Sequence, residues 1–198
     1  MATRRAQRRA VKLDWLAGEN RGLEHADARF DGADLTEAVL AESAFHRCEF
    51  VGARFNCARL SEVELVDCVF SGCNFFDAEL EGCRLAGSVF DRCSFSGTVV
   101  TGGDWSDVRL AGADLTLAEF TDLRMTGADL SAARCGGAVF TGVDLANARL
   151  AGADFAGADL RRSILTAFDP RVVELRSAII TADQAVDLAM ALDLAIRD

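Results

Sequence analysis

Large apolar residues recur every five positions along most of this chain, a period that fits neither ordinary secondary structure. The series runs from Phe30 to Leu165 without a slip, and its 28 members are Phe or Leu except for Val100, Trp105, Met125 and Cys135. On an α-helix a step of five residues turns about 500°, so the apolar groups form no stripe. On a flat strand they alternate faces. The pattern therefore predicts a chain that turns after every repeat, always in the same direction.

The residues around each large apolar residue predict the shape of one repeat. The residue two before it is small at nearly every step, so both point to the same side of an extended segment. The position two after it holds 13 of the 17 glycines, which predicts a corner with positive φ. The remaining positions are mostly charged or hydroxylated and are expected to face water.

Four copies of one short motif point to a known family. Gly-Ala-Asp followed by Leu or Phe ends at Leu115, Leu130, Phe155 and Leu160, and it resembles the signature of the pentapeptide-repeat family. The resemblance implies an all-β solenoid, a right-handed quadrilateral β-helix with one repeat per side, about seven coils of roughly 20 residues and a short C-terminal α-helix. Stacking at ~4.8 Å per coil gives a rod of roughly 34 Å.

A coil of this length makes residues 20 apart vertical neighbours. It predicts one interior stack of Phe30, Phe50, Phe70, Phe90, Leu110, Leu130 and Leu150, and a second of Leu35, Phe55, Phe75, Phe95, Leu115, Cys135 and Phe155. Local bulging is expected near Trp105, Leu123 and the Gly102-Gly103 pair, where the repeats are least regular.

The repeat predicts four segments. Residues 1–12 form a basic N-terminal tail, and residues 13–29 form a cap in which Leu13, Trp15, Leu16 and Leu23 cover the first coil. Residues 30–168 form the β-helix. Residues 169–198 follow the Asp169-Pro170 break and form a C-terminal cap with a dimerisation helix, opened by the capping box Thr181-Ala-Asp-Gln184.

Cysteine and histidine usage predicts neither a metal site nor catalysis. Five of the seven cysteines occupy the small inward position, no C-x-x-C pair occurs, and free thiols are expected: Cys48, Cys68, Cys73, Cys83 and Cys93. The only histidines are His25 and His46, and neither a G-x-S-x-G motif nor a P-loop is present. We expect no enzyme activity and no cofactor.

Charge divides the chain into a basic start and an acidic body. The net charge is −10, although Arg4, Arg5, Arg8, Arg9 and Lys12 lie in a tail without acidic residues. The acidic body should repel nucleic acid and membranes and attract basic grooves on other proteins. Because no secretory signal follows the basic start, a cytoplasmic protein is expected.

The layout of the whole chain resembles the Qnr and MfpA type members of the family. The resemblance implies a DNA mimic that binds DNA gyrase or topoisomerase IV, inhibiting the enzyme or protecting it from quinolones or natural-product poisons. It also implies a homodimer joined end to end through the C-terminal residues Val186, Leu188, Ala189, Met190, Leu192 and Leu194. The unbroken series leaves no room for the projecting loops through which some members protect gyrase.

Outward acidic residues are the candidate contacts with such an enzyme. They are Glu37, Glu42, Glu62, Glu64, Asp67, Asp77, Glu81, Asp91 and Asp107. The alternative for each is a solvated charge that keeps the rod soluble. The alternative for the whole chain is a structural scaffold that docks an unrelated protein, because a fold does not fix a function.

Overall fold

The structure, a computed structural model, is a parallel β-solenoid in which each repeat forms one side and the chain returns to the same side 20 residues later. It describes residues 9–11 and 19–197. Phe50 pairs in register with Phe30 below it and Phe70 above it. The predicted quadrilateral β-helix is confirmed. We number its sides from face 1, which contains Phe30, to face 4.

Parallel sheets cover three of the faces. Face 1 has five strands, namely β1 (Arg9–Ala10), β4 (Ala28–Asp31), β7 (Glu49–Val51), β10 (Val69–Ser71) and β12 (Val89–Asp91). Face 3 has seven, namely β2 (Glu19–Arg21), β5 (Val39–Ala41), β8 (Arg59–Ser61), β11 (Glu79–Glu81), β13 (Val99–Thr101), β14 (Glu119–Thr121) and β15 (Val139–Thr141). Face 4 has three, namely β3 (Glu24–Ala26), β6 (Ala44–His46) and β9 (Glu64–Val66).

Face 2 is held by single parallel bridges instead of strands. They link Asp34, Arg54, Asn74, Ser94, Asp114, Arg134, Asp154 and Glu174 in turn. Similar bridges continue the other faces toward the C-terminus, so the 20-residue register is continuous.

The ladder extends past both ends of the 30–168 segment. At the start, Asn20 pairs with Leu40 and His25 with Phe45, and β1 adds Arg9 to the edge of face 1. At the far end, Asp159 bridges to Ile179. Most of the predicted tail, together with Leu13, Trp15 and Leu16 of the predicted cap, lies outside the described residues.

The interior contains the stacked rings that the sequence predicts. Phe30, Phe50, Phe70 and Phe90 follow one another with ring centroids 4.8, 5.1 and 4.7 Å apart. On the next side Phe55, Phe75 and Phe95 stack at 4.6 and 5.4 Å. Each buried Phe contributes about 1.5–3 kcal/mol relative to an exposed one, so the two stacks are a major source of stability.

Positive φ recurs at the corners, as the glycine pattern predicts, but glycine is not required there. We call the positions two residues after each centre corners A, B, C and D, following faces 1 to 4. Fifteen glycines have positive φ, and so do many other corner residues, among them Glu37, Glu62, Asp77 and Leu117. The solenoid therefore imposes the left-handed backbone on most corner residues whatever their side chain, with Ala167 and Val172 near the C-terminal end as exceptions.

The expected bulge near Trp105 does not occur. Arg84, Asp104 and Arg124 remain bridged in the 20-residue register. The irregularity appears as two longer hydrogen bonds, 3.1 Å from Asp104 N to Cys83 O and 3.3 Å from Arg124 N to Gly103 O. A Cβ at Gly103 would collide with the Cys83 backbone, so this glycine lets two coils approach closely.

The small inward residues make hydrogen bonds as well as fill space. The Cys68 thiol donates to the Phe45 carbonyl at 3.2 Å, and the buried Ser163 hydroxyl donates to the Phe140 carbonyl at 2.7 Å. All seven cysteines are free thiols, as expected.

Helix α1 (Ala182–Ala191) closes the C-terminal end. The predicted capping box between Thr181 and Gln184 is present. The buried Gln184 side chain also donates from Nε2 to the carbonyls of Leu160 and Ser163, both at 2.7 Å. One side chain therefore begins the helix and joins it to the last coils.

Candidate acidic docking surface

Many outward charges form ion pairs between successive coils. Each pair joins outward residues 20 apart, and the N–O distances are 2.5 Å for Arg54–Asp34, 2.6 Å for Arg134–Asp114, 2.9 Å for Arg29–Glu49 and 3.0 Å for Arg149–Asp129. These pairs lie on faces 1 and 2. Their acidic residues are therefore partly neutralised by arginine.

The pKa values of these carboxyl groups reflect the pairing. Hydrogen bonds from Arg54 and Thr36 lower the pKa of Asp34 to about 2. Hydrogen bonds from Thr116 and Arg134 lower the pKa of Asp114. Such groups are firmly ionised at neutral pH, but their charge is directed at a neighbouring guanidinium.

The nine predicted acidic residues do not form one strip. Glu37 and Asp77 lie on corner B, Glu42 and Glu62 on corner C, and Asp67 and Asp107 on corner D. Glu81 ends β11 on face 3, Glu64 begins β9 on face 4, and Asp91 ends β12 on face 1. The structure brings three of them close together, because Glu62 follows Glu42 by one coil and donates its backbone N–H to the Glu81 carbonyl at 2.8 Å.

Three of the nine have ion-pair partners within the described residues. Glu42 pairs with Arg21 at 2.8 Å, Glu64 with Arg84 and His46 at 3.3 Å each, and Asp91 with Arg92 at 3.0 Å. The other six have no ion pair within 4.0 Å in the part of the chain that the structure describes: Glu37, Glu62, Asp67, Asp77, Glu81 and Asp107.

Unpaired negative charge is concentrated on one side of the rod. Corner A, from Gly32 to Val172, has no acidic residue and contains Arg92. Corners B, C and D together carry eight acidic residues and two arginines, namely Asp27, Glu37, Glu42, Glu62, Asp67, Asp77, Asp107, Asp122, Arg47 and Arg162. Asp27 pairs with Arg47 and Glu42 with Arg21, whereas the other six acidic residues have no ion pair within 4.0 Å in the described residues. Faces 3 and 4, with these three corners, therefore form the acidic side.

The C-terminal end carries an apolar surface. Eight of the eleven exposed large apolar residues in the described chain lie there: Ile164, Val172, Ile179, Val186, Met190, Leu192, Leu194 and Ile196. Of the predicted dimer residues, Val186, Met190, Leu192 and Leu194 are exposed, whereas Leu188 and Ala189 are half-buried. Leu188 packs against the solenoid core.

Other kinds of site are not found in the described residues. Among residues 9–11 and 19–197, no group of three or more His, Cys, Asp or Glu side chains could hold a metal ion. In the same ranges, no helix has the length and apolar character needed to cross a bilayer.

Sequence comparison establishes the family. A pentapeptide repeat region matches residues 38–120, and pentapeptide repeats match residues 128–166; together they span more than half of the chain. This chain belongs to the pentapeptide-repeat family. A search of curated protein sequences returns no significant match to this pentapeptide-repeat chain.

Solved structures share the fold over nearly the whole length. A trypsin-treated variant of QnrB1, a plasmid-mediated fluoroquinolone resistance protein, is 24% identical, with a TM-score of 0.63 over 91% of this chain and 100% of its own. Full-length QnrB1 is 22% identical, with a TM-score of 0.56 over 89% of this chain and 100% of its own. At this identity the likeness establishes the fold.

Sequence reasoning missed three surface or junction residues. Gln184 was identified as a helix cap, but its contact with the last coils has no sequence signal. Phe76 is the one exposed Phe among the thirteen in the chain, and Leu117 is 66% exposed on corner B. Both lie off the five-residue series, and a large apolar residue at a polar position was the available signal.

Proposed function

We propose that this protein binds a type II topoisomerase, DNA gyrase or topoisomerase IV, through its acidic side, where it takes the place of DNA. Binding would inhibit the enzyme, protect it from quinolones or natural-product poisons, or do both. The observation that carries the proposal is the asymmetric distribution of unpaired carboxylates on a rigid rod. The shared fold with QnrB1, described as a fluoroquinolone resistance protein, supports the same choice of partner.

The physical basis is electrostatic and geometric mimicry. Duplex DNA carries one negative charge per ~1.7 Å, and its binding grooves are correspondingly basic. Coils stacked at ~4.8 Å with carboxylates on three corners offer repeated negative charge to such a groove. Long-range attraction raises the association rate, and the fixed corner geometry supplies selectivity.

The proposal includes a homodimer joined through the C-terminal apolar surface. Exposed Val186, Met190, Leu192 and Leu194 extend from the end of the rod, and burying them against a second copy removes apolar area from water. Two-fold pairing would give a rod about 70 Å long at ~4.8 Å per coil. Met190→Asp with Leu194→Asp should give a monomer by light scattering, and a dimer that persists would place the interface elsewhere.

A charge-matched pair of variants tests topoisomerase binding. The variant Glu42→Gln, Glu62→Gln, Glu81→Gln removes three charges from the acidic side. The control Asp34→Asn, Asp114→Asn, Asp154→Asn removes three from face 2. We expect the first to weaken binding to purified gyrase at least tenfold and to lose its effect on supercoiling with and without a quinolone, while the control stays near the original affinity. Equal losses would show that net charge, not this surface, governs binding.

The second candidate function is a scaffold that docks an unrelated protein. The exposed apolar residues favour it as much as they favour a dimer, because they suit any protein partner. Absence of gyrase and topoisomerase IV binding by the unsubstituted protein would leave this function in place of the first. In both cases we propose a cytoplasmic protein without catalysis, cofactor or direct nucleic-acid binding.

A further inference from the structure

Leu117 is placed where a leucine is costly to the fold. It has φ of 63° and is 66% exposed, the highest exposure among the large apolar side chains of the described chain. Left-handed backbone is strained for a residue with a branched side chain, and an exposed leucine gains nothing from burial. Corner B has glycine at three other positions, Gly97, Gly137 and Gly157, so glycine fits this corner well.

The turn around Leu117 is closed by the same hydrogen bond as the other turns of corner B. The Ala118 N–H donates to the Leu115 carbonyl at 3.0 Å, which places Leu117 third in a closed four-residue turn, the position where positive φ favours glycine. The same bond closes the turn at Ala78 and Phe75 at 3.0 Å. Positive φ is shared by many corner residues, so the feature that distinguishes Leu117 is a large apolar side chain held mostly in water at such a position.

Phe76 lies beside this corner two coils earlier. The other twelve Phe side chains are buried, whereas Phe76 is 43% exposed. Its backbone is held by a 3.0 Å hydrogen bond from its N–H to Asn74 Oδ1 and by its carbonyl, which accepts from Cys57 N at 2.8 Å. Two coils separate it from Leu117 by about 10 Å at the backbone, and the small Ser96 and Gly97 lie between them.

We propose that Phe76 and Leu117 are apolar anchors for the protein partner, on the edge of the acidic side. The unpaired carboxylates of Glu37 and Asp77 flank them on corner B. The matching surface is therefore a pair of apolar pockets bordered by basic side chains. Rigid apolar anchors in desolvated pockets carry most of the affinity in protein interfaces, whereas exposed charges mainly affect the association rate.

This inference rests on the proposed function, because the partner it assigns is the same type II topoisomerase. It adds that affinity depends on two uncharged residues that a purely electrostatic mimic of DNA would not need. Leu117→Gly is especially informative, because it removes the anchor and relieves the backbone strain together. Binding and stability should therefore change in opposite directions.

The experiment measures binding of purified gyrase to the full-length protein by surface plasmon resonance, with thermal unfolding of each variant. Leu117→Gly and Phe76→Ser should each weaken binding at least tenfold, mainly through faster dissociation, while Leu117→Gly unfolds at the same or a higher temperature. The controls are Ala132→Gly, an exposed corner A residue with φ of 54°, and Val51→Thr, a half-buried apolar residue on face 1, outside the acidic side. Both should bind normally.

Four outcomes separate the two proposals. Tight binding by the original protein and loss in both anchor variants supports the anchors. Tight binding that the anchor variants retain overturns the anchors and leaves the proposed function intact. No binding by the original protein overturns both, and equal weakening in the two controls overturns the anchor assignment.

Discussion

The Asp77 carboxylate lies against the α-carbon of Gly97, one coil further along corner B. Its Oδ1 occupies the space that a Cβ at position 97 would need. The same relationship joins Asp67 to Gly87, Asp107 to Gly127 and Asp122 to Gly142. At these four places an aspartate in one coil is followed by a glycine in the next, whereas Arg47, which follows Asp27 on corner D, pairs with that carboxylate instead.

Gly97→Ala should destabilise the protein more than Gly137→Ala. Both glycines lie on corner B with φ of 70° and 69°, so alanine suffers the same backbone strain of about 1–2 kcal/mol at each. At Gly97 the new methyl group must also displace the Asp77 carboxylate, whereas nothing lies within 4 Å at Gly137. Urea unfolding measures the difference. Adding Asp77→Ala should restore Gly97→Ala to the Gly137→Ala value, and equal losses from the start would contradict the clash.

Gln184→Ala should cost about 2–3 kcal/mol, since it leaves the Ser163 carbonyl without a donor, removes one of the two donors to the Leu160 carbonyl and removes half of the capping box. Thr181→Ala removes only the cap interaction and should cost about 1 kcal/mol. Guanidinium unfolding gives the stabilities, and limited proteolysis reports release of α1. If the two variants are equally stable, the contact with Leu160 and Ser163 contributes nothing.

Cys57 should be the one thiol that reacts rapidly with a disulfide reagent in the native protein. It is exposed, whereas burial raises the pKa of Cys83 to about 11 and also raises the pKa of Cys135, which leaves little thiolate at neutral pH. Cys57→Ser should abolish the fast phase, and all remaining thiols should react after unfolding. A fast phase that survives the substitution would show that half-buried Cys93 or one of the buried thiols is accessible to the reagent.

Arg54→Gln should raise the pKa of Asp34 from about 2 toward its ordinary value of 3.8. The pKa is depressed in the folded protein, so the pairing stabilises the fold above pH 4 or so and loses its effect as the pH falls through the folded value. Carboxyl NMR titration measures the shift, with Arg134→Gln as a control that leaves Asp34 unchanged. The loss of stability at neutral pH should be small, because both side chains are largely exposed, and the two proteins should be equally stable in acid.

The repeat could be predicted from the sequence because one period sets every inward side chain. A five-residue series with glycine at a fixed offset admits few chain paths, and the Phe stacks and corner φ values follow from it. The bulge expected near the Gly102-Gly103 pair is absent. The missing side chain at Gly103 lets two coils approach more closely, and this can replace a bulge. Sequence alone does not distinguish these two responses.

The candidate surface was less predictable than the fold. Outward acidic residues are easily recognised in the sequence. Whether each one forms an ion pair, as Asp34 does with Arg54, or has none, as is the case for Glu62, depends on which residues lie 20 positions away and on the conformations of their side chains. Leu117 lies outside the five-residue apolar series, so the series does not single it out. Its positive φ and its exposure are known only from the structure.

Because the 20-residue register is unbroken, the length of the rod can change without moving side chains to other faces only by whole turns. Removing residues 110–129 would join Arg109 to Leu130 and return every later side chain to its original face, whereas removing five residues would rotate all of them by a quarter turn. Duplication or loss of complete turns could therefore lengthen or shorten such a rod without redesigning its interior, and this provides a simple route for matching its span to a different partner.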